Sequence, residues 1–483
     1  MACINPQPDS RLVQVPLEVL TRITYFISTK ELGNVRLTCK VLERNLFNFF
    51  SHEFFRKKQF MVSSDSLQTL VDISKHPTLS ASLKHVIIST DRLQNTFGVV
   101  TTEEQKRRGD FARADHFSLL ATGTVRDMLA EAFSGLASLE TVDIRDFNSL
   151  SRNRDGYGNP WRSYGAVTLS NSTLSVVASQ PLTDTDEYAT QLFSTVTAAL
   201  AISQSRPRSI EVLLKNWRWG LHDHAFFIPP RLEPLMTQLL SELQSLHLSL
   251  HRFGQFFMIQ KFLSLTPNLT WLRLNFSDSS RYAQDGAEDH LLCWLGLLEA
   301  EPPANPIGRD PVRLGRLERL DLGSATVWPQ ALLRIVTKFA PTLRSLYLRR
   351  VTLCDSHDLD AKVNPWKTFL PKLAKVPGVG LRELGLSLLK HCTCKKSRGG
   401  QYFASPSFVG DVFFSNPKTG KEERKRICST HFLTLEKAIE EMVTQMTEEW
   451  PPTSEDGLSD DNENEDEDED EDENDGGNEE DAE

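Results

Sequence analysis

The chain lacks the segments that mark a secreted or membrane protein. It has 483 residues, but no apolar run reaches the roughly 18 residues that a transmembrane helix needs. Residues 1–10 are polar, are expected to be disordered, and lack the basic and apolar regions of a secretory signal. Its seven cysteines are scattered and odd in number, which argues against a disulfide framework. We therefore expect a cytoplasmic or nuclear protein with reduced cysteines and no membrane partner.

Motifs of catalysis and nucleotide binding are missing as well. No glycine-rich phosphate loop follows any of the apolar segments, and the sequence contains no nucleophile elbow and no metalloprotease helix motif. No nucleic-acid partner is expected either. Residues 217–224 (WRWGLHDH) could be read as a metal or nucleic-acid patch, but structural packing is the favoured interpretation. The sequence favours a non-catalytic protein that works by binding.

Basic residues are absent from the last part of the chain. Residues 455–483 contain no lysine or arginine and hold 19 of the 65 acidic residues. The rest of the chain is mildly basic, with 54 lysines and arginines against 46 acidic residues. A block of like charge repels itself and cannot bury itself, so we expect residues 451–483 to form a disordered acidic tail.

Residues 11–60 carry the clearest local signals, and these predict three short helices. Pro16 stands at the start of the first helix, where a missing backbone N–H costs nothing. Apolar residues then recur at helical spacing: Leu17, Leu20, Ile23 and Ile27. Ser28 and Glu31 form a capping-box pattern that starts a second helix. Because so small a unit buries little surface, we expect part of its apolar face to be an interface.

This segment resembles the F-box motif. That motif begins Leu-Pro-x-Glu-(apolar)-Leu and continues with an isoleucine, an acidic-Leu pair and a Leu-x-Ser-Lys/Arg-like element. The matching parts of this chain are Val15-Pro16-Leu17-Glu18-Val19-Leu20, Ile23, Glu31-Leu32 and Leu37-Thr38-Cys39-Lys40. Val15 and Cys39 are mild departures from the motif. The continuation to residue 74 looks like F-box proteins that are abundant in filamentous fungi.

The resemblance implies a substrate-recognition subunit of an SCF-type cullin-RING ubiquitin ligase. Such a subunit binds the Skp adaptor of the cullin scaffold through the F-box and a target protein through its remaining domain. The adaptor contacts implied by the resemblance are Pro16, Glu18, Leu20, Ile23, Leu32, Leu37 and Lys40. The alternative interpretation of these helices is a small helical cap on a larger domain.

A six-residue pattern, apolar-x-x-apolar-x-apolar, recurs after residue 80. Its clearest copies begin at Leu83, Leu139, Leu243, Leu269, Leu317, Leu343 and Leu381. The copies at Leu243 and Leu269 are 26 residues apart, which is a leucine-rich-repeat period. Helical spacing lies between several copies, so each unit is predicted to be a strand with a returning helix.

We predict an α/β fold in which residues 61–390 form an irregular leucine-rich-repeat-like solenoid, with an insertion near 151–165. A doubly wound α/β domain is the alternative, because strand–helix alternation fits both architectures. In a solenoid, the residues between the apolar positions of each strand line the concave face. The candidates for binding a target protein there are His247, Trp271, Arg273, Arg319, Asp321, Tyr347 and Arg349.

Arginine, tryptophan and tyrosine dominate interface hot spots, which favours a docking role for these residues. Their three arginines also suggest a phosphorylated target, since guanidinium groups bind phosphate in a bidentate manner. The alternative interpretation is an ordinary solvated sheet face.

Residues 391–450 are predicted to form a C-terminal cap with an amphipathic helix within 433–446. This region contains four possible zinc ligands: Cys392, Cys394, Cys428 and His431. Three cysteine thiolates and one histidine imidazole would supply the four ligands of a tetrahedral structural zinc site. The Cys-x-Cys spacing is tighter than the common one, so free thiols near the end of the repeats are the alternative.

The acidic tail supports a rival function. A repeat domain followed by an Asp/Glu-rich tail resembles acidic nuclear phosphoproteins with leucine-rich repeats. That resemblance implies a chaperone of histones or other basic proteins. It leaves the F-box-like segment unexplained.

Overall fold

The structure is a computed structural model that describes residues 11–94, 102–149, 153–156, 161–178, 185–216, 218–252, 256–277, 287–298, 310–355, 364–394, 406–416, 421–429 and 434–446. Residues 1–10 and 451–483, for which the sequence predicts disorder, lie outside these ranges. Within them, no helix combines the length and the apolar character needed to cross a membrane.

The described helices are α1 (Leu17–Tyr25), α2 (Thr29–Thr38), α3 (Lys40–Phe55), α4 (Ser64–Lys75), α5 (Pro77–Ser82), α6 (Glu103–Ala121), α7 (Thr124–Ser134), α8 (Ala166–Thr173), α9 (Thr185–Ser203), α10 (Glu233–Ser241), α11 (Phe257–Ser264), α12 (Ala287–Leu295), α13 (Pro329–Phe339), α14 (Pro365–Ala374) and α15 (Leu435–Gln445). Short 3-10 helices cover Asn153–Asp155 and Asp223–Phe226.

The described strands are β1 (Lys57–Phe60), β2 (His85–Ser89), β3 (Arg92–Leu93), β4 (Thr141–Arg145), β5 (Val177–Ala178), β6 (Ser209–Leu213), β7 (Ser245–Leu250), β8 (Trp271–Phe276), β9 (Arg319–Gly323), β10 (Thr326–Val327), β11 (Ser345–Arg349), β12 (Thr352–Asp355), β13 (Glu383–Ser387), β14 (Lys390–Cys394), β15 (Pro406–Asp411), β16 (Phe414–Ser415), β17 (Glu422–Glu423) and β18 (Lys425–Ser429).

Helices α1 to α3 form a small bundle at the start of the described chain. Its core consists of five buried side chains: Leu20, Leu32, Leu42, Leu46 and Phe54. Both hydrogen bonds of the predicted capping box are present, since the Ser28 hydroxyl accepts from Glu31 N while the Glu31 carboxylate accepts from Ser28 N. Only Arg56 separates α3 from β1, so the repeat sheet begins inside the segment assigned to the F-box-like unit.

The main sheet has ten strands in the order β1-β2-β4-β6-β7-β8-β9-β11-β13-β18. Neighbouring strands run parallel from β1 to β13, and β18 pairs antiparallel with β13. The spatial order follows the chain order without a reversal, whereas a doubly wound sheet reverses at a switch point. The described fold is therefore a mixed α/β structure consistent with a leucine-rich-repeat-like solenoid.

The six-residue pattern builds the core of this sheet. Its last two apolar positions fall on the strands and lie opposite one another from strand to strand, as Leu246 and Leu248 do with Leu272 and Leu274. These four side chains are at most 1% exposed, and the helices of the repeats pack against them. Because strand side chains alternate, the residues between them point to the opposite face. We call that opposite face the spacer face.

The last repeats add a second sheet that the sequence analysis did not identify. Its order is β10-β12-β14-β15, with parallel pairing up to β14 and antiparallel pairing of β15. The chain enters it at Ser324, Arg350 and Leu388, each of which directly follows a main-sheet strand and has a φ near +50°. The predicted amphipathic helix is α15, which buries Ala438, Ile439 and Met442.

Candidate protein-docking surfaces

The seven predicted adaptor residues divide into an exposed and a buried group. The exposed residues are Pro16, Glu18, Ile23, Leu37 and Lys40. Leu20 is 1% exposed and Leu32 is fully buried, because both belong to the core of the bundle. Because these two leucines are buried, they can support the packing of the helices but have almost no surface with which to contact a partner.

The N-terminal helices expose an unusual number of large apolar side chains. Of the 17 exposed large hydrophobic residues in the described ranges, seven lie between residues 12 and 37. Six of them form what we call the exposed apolar set: Leu17, Val19, Ile23, Tyr25, Phe26 and Leu37. Leu37 is 85% exposed and Phe26 is 73% exposed. Large apolar side chains exposed at this density within one short part of the chain are typical of a region that a partner covers.

Two polar residues of the bundle, Glu31 and Arg36, stabilise its helices. Hydrogen bonds from the backbone and hydroxyl of Ser28 lower the pKa of Glu31, which keeps the capping carboxylate ionised. The guanidinium of Arg36 lies 3.5 Å from the ring centre of Phe50, and burial lowers its pKa. The apolar set therefore projects from helices whose ends and packing are fixed locally.

The structure brings all seven predicted target-binding residues onto one face. They lie on the spacer face of four adjacent strands, β7, β8, β9 and β11, in matching register. Their exposure differs, however. His247 is 4% exposed and Asp321 is 7% exposed, while Trp271, Arg273, Arg319, Tyr347 and Arg349 are half-buried.

A planar stack occupies the centre of this face. The Arg319 guanidinium lies between two rings, 4.0 Å from the centre of Trp271 and 4.5 Å from that of Tyr347. The His247 ring packs edge-on against Trp271 at 4.2 Å. Tyr347 lies so close to Gly385 of the next strand that a Cβ there would overlap its ring, so this position requires glycine. The stack is a preformed platform of aromatic and cationic groups.

Two neighbouring carboxylates accept hydrogen bonds from the polar atoms of the stack. Asp321 accepts hydrogen bonds from Arg319 Nε at 3.0 Å and from Trp271 Nε1 at 3.1 Å. Glu383 accepts from the Tyr347 hydroxyl at 2.9 Å, and burial together with this bond raises the Tyr347 pKa to about 12. The Arg319 charge is thus matched inside the protein.

The same face carries a second polar cluster that the sequence analysis did not identify. Asp143 is fully buried, pairs with the Arg145 side chain, and lies 3.4 Å from His85 Nε2. In the next strands, Glu211 Oε1 lies 3.8 Å from His247 Nδ1. Burial, with the charge of Asp143, raises the pKa of Glu211 to about 7, and burial lowers the pKa of His247 to about 3. This pair is therefore not a stable ion pair at neutral pH.

An open cleft of about 470 Å³ lies where the helical bundle meets the sheet. Its lining residues are His52, Glu53, Arg56, Lys57, Lys84, His85, Glu140, Thr141 and Trp161. Both lining carboxylates already pair with cations: Glu140 with Lys84 at 2.8 Å, and Glu53 with Arg154 at 2.6 Å. The volume lies within the range of ligand pockets, but the lining is more polar than is usual for them.

Only two of the four predicted zinc ligands, Cys392 and Cys428, have side chains within the described ranges, and these two lie in different sheets. Cys392 lies in the second sheet, is 3% exposed, and packs with Cys354 and Trp328. Cys428 lies in the main sheet opposite Leu384, and burial raises its pKa. His431 and the Cys394 side chain are outside the described residues. Within the described ranges, no three His, Cys, Asp or Glu side chains are placed to hold a metal ion.

Comparison with known proteins leaves the family of this chain open. No protein-family model matches it, and no curated protein matches it. Among solved structures, a leucine-rich repeat-containing protein from Legionella pneumophila matches at 12% identity, over 80% of this chain and 98% of that chain. Its TM-score is 0.22, too low to support a conclusion about this chain. The mixed α/β, repeat-like fold therefore rests on the strand order and the buried leucine positions.

Proposed function

We propose that this protein is a substrate-recruiting subunit of an SCF-type cullin-RING ubiquitin ligase. In this proposal, helices α1 and α2 dock on a Skp-type adaptor, and the spacer face binds a target protein. The observation that carries the proposal is the exposed apolar set on a bundle whose sequence resembles an F-box. A helical cap on a solenoid needs its apolar residues buried, whereas a docking unit needs them at the surface.

The exposed apolar set has the chemistry of a protein interface. Leu17, Ile23 and Leu37 are 49%, 44% and 85% exposed, and Pro16 and Lys40 are exposed beside them in the sequence. Covering such side chains removes apolar area from water at roughly 25 cal/mol per Å². Leu20 and Leu32 support the proposal differently, by keeping the helices in place from within the core.

The spacer face supports the second half of the proposal. The Trp271–Arg319–Tyr347 stack consists of the three residue types that are enriched at hot spots, and its rings are already held in place. A preformed platform loses little conformational entropy when a partner binds. The subunit would contribute proximity and no catalytic group, by holding the target near the ubiquitin-conjugating enzyme.

Adaptor binding is tested with the full chain and a purified Skp-type adaptor by titration calorimetry. We expect a one-to-one complex for the wild type. Because interface hot spots each contribute about 2 kcal/mol or more, Ile23→Asp/Leu37→Asp should weaken binding at least about 100-fold. The matched control is Phe111→Asp/Phe117→Asp, which alters two exposed apolar residues on α6 and should leave the affinity unchanged.

Two results would contradict the proposal. One is an intact, folded chain that does not bind the adaptor. The other is an Ile23→Asp/Leu37→Asp variant that binds as tightly as the wild type.

A chaperone of histones or other basic proteins remains the second candidate, because 19 acidic residues lie within residues 455–483. Deletion of residues 455–483 separates the two functions. A chaperone would lose histone binding after the deletion, whereas a ligase subunit would keep its affinity for the adaptor.

A further inference from the structure

The insertion that the sequence identifies near residues 151–165 contacts the N-terminal helices through two adjacent residues. Asp155 accepts a hydrogen bond from Thr29 N at 2.8 Å and one from Thr29 Oγ1 at 2.5 Å. Thr29 is the first residue of α2, so the Asp155 carboxylate lies at the positive end of that helix. An anion is stabilised at this position by the helix dipole and by the backbone N–H.

Arg154 contacts the other two helices. Its Nη1 donates to the carbonyl oxygens of Thr24 at 3.1 Å and Ile27 at 3.2 Å, at the C-terminal end of α1. Its Nη2 donates to Glu53 of α3 at 2.6 Å. The guanidinium also lies within 6 Å of the ring centres of Phe49 and Phe54 of α3. The side chain is only 7% exposed, so these contacts are made largely out of water.

The opposite signs of these two charges match the two helix ends that they touch. The cation lies at the negative end of α1, and the anion lies at the positive end of α2. Charge-assisted hydrogen bonds of this kind are about twice as strong as neutral ones. One short 3-10 turn, Asn153–Asp155, therefore holds all three helices of the bundle.

The flanks of the same insertion are attached to the sheet. Tyr164 N donates to the Gln59 carbonyl of β1 at 2.8 Å. The Gln59 amide donates to Ser163 Oγ at 3.1 Å and to the Phe147 carbonyl at 3.3 Å, and the Ser163 hydroxyl in turn donates to Asp91. Gln59, Ser163 and Asp91 are each at most 3% exposed. The segment thus connects a buried part of the sheet with the helical bundle.

We propose that Arg154 and Asp155 are positioning residues that brace the docking helices against the repeat sheet. The chain connection from α3 to β1 attaches the bundle to the sheet, and α3 also contacts α5, where the Ser82 hydroxyl donates to Ser51 Oγ at 3.4 Å and the rings of Phe47 and His76 lie 5.6 Å apart. These attachments are made through α3. The brace adds attachments at α1 and α2, and so restricts the movement of these two helices relative to the sheet. This inference rests on the proposed function only in naming the helices as a docking site.

The consequence is that the two docking surfaces keep a constant geometry. A ligase subunit without catalytic groups acts by holding its target within reach of the ubiquitin donor, so its efficiency depends on the angle and distance between its two surfaces. Releasing the brace should leave both surfaces folded and able to bind, but should loosen α1 and α2 and make the relative orientation of the two surfaces variable.

The direct test is amide hydrogen exchange on the full chain, comparing the wild type with Arg154→Ala, Asp155→Ala and Asp155→Asn. Since charge-assisted hydrogen bonds to the ends of these helices are lost, amides of α1 and α2 should exchange at least about tenfold faster in both alanine variants. Amides of β7 to β11 should be unchanged, which shows that the sheet remains folded. Asp155→Asn keeps an acceptor for Thr29 and should give a smaller change.

The control is Arg113→Ala, which removes an arginine from an exposed pair with Asp110 on α6 and should change none of these rates. Unchanged exchange of α1 and α2 in Arg154→Ala and Asp155→Ala would overturn the brace. This readout needs no adaptor, so it stands even if adaptor binding fails.

A second readout separates positioning from simple stability. In a reconstituted ligase, Arg154→Ala should bind the adaptor with wild-type affinity but modify a wider set of its own lysines, as mapped by mass spectrometry. An unchanged lysine map at equal adaptor affinity would show that the brace does not set the orientation. Absence of any adaptor binding by the wild type would instead reject the proposed function and leave the exchange result untouched.

Discussion

At the scale of single residues, burial decides the protonation of the polar groups on the spacer face. Glu211 and His247 face each other at 3.8 Å, yet burial shifts the pKa of each toward the neutral form. Ser209 donates to Glu211 at 2.9 Å, and Ser245 lies 3.1 Å from His247, so both groups have neutral hydrogen-bond partners. This part of the face should therefore change its charge near neutral pH.

Glu211 should make the stability of the protein fall as the pH rises from about 5 to about 8. Its pKa is about 7 in the folded state against an ordinary 4.5, so the unfolded chain releases this proton at lower pH. Because Glu211 ionises less readily in the folded state than in the unfolded chain, the free energy of unfolding decreases progressively across this pH range. One pKa unit corresponds to about 1.4 kcal/mol. The stability of Glu211→Gln relative to the wild type should therefore increase by roughly 1 to 3 kcal/mol when the pH is raised from 5 to 8.

Urea unfolding at both pH values measures this gain, with the exposed Glu318→Gln as control. A difference between Glu211→Gln and the wild type that is the same at pH 5 and pH 8 would show that Glu211 titrates normally.

At the scale of elements, the corners after β9, β11 and β13 share one conformation. Ser324, Arg350 and Leu388 have φ values of 50°, 52° and 49°. Their N–H groups continue the ladder by donating to the Arg349, Ser387 and Arg424 carbonyls at 2.7 to 2.9 Å. This conformation directs the chain from the main sheet into the second sheet.

The corner at Arg350 predicts an order of stability for substitutions. The left-handed region costs a residue with a Cβ roughly 1 kcal/mol, costs glycine almost nothing, and is worst for β-branched side chains. Arg350 is exposed, so its side chain should add little. We expect the thermal midpoint to fall in the order Arg350→Gly, Arg350→Ala, Arg350→Val. A valine variant as stable as the glycine variant would contradict the corner conformation.

The bundle offers a matched pair of leucines with opposite roles. Leu32 is fully buried, so Leu32→Ala should destabilise the bundle by roughly 2 to 5 kcal/mol. Leu37 is 85% exposed, so Leu37→Ala should change stability by no more than about 0.5 kcal/mol. Both variants should weaken adaptor binding, but only Leu32→Ala should increase cleavage of α1 to α3 by limited proteolysis. Equal protease sensitivity would show that the two positions are not distinguished by burial.

Much of this architecture follows from patterns in the sequence. Leucines two residues apart, such as Leu246 and Leu248, must lie on the same face of a strand. The start of α2 is predictable because Ser28 and Glu31 form a capping-box pattern. The corners were not predictable, because Ser324, Arg350 and Leu388 are not the glycine or asparagine that usually marks such a turn. The brace was not predictable either, since Asp155 and Thr29 are 126 residues apart.

At the scale of the whole described chain, one candidate surface lies on the N-terminal helices and the other on the repeat sheet. Ten strands at about 4.8 Å spacing extend roughly 40 Å from β1 to β18. The helical bundle is joined to the β1 end, while the Trp271–Arg319–Tyr347 stack lies on strands β8 to β11. This arrangement suits a protein that connects two partners, and the brace at Arg154 and Asp155 would keep their geometry fixed.

The most direct test of the central claim is the footprint of a Skp-type adaptor on the full chain, measured by amide hydrogen exchange. We expect protection of α1, α2 and the start of α3, residues 17–43, with β7 to β11 unaffected and available for a target. Protection of the spacer face instead, or no protection anywhere at saturating adaptor, would contradict the assignment of the N-terminal helices as the docking unit.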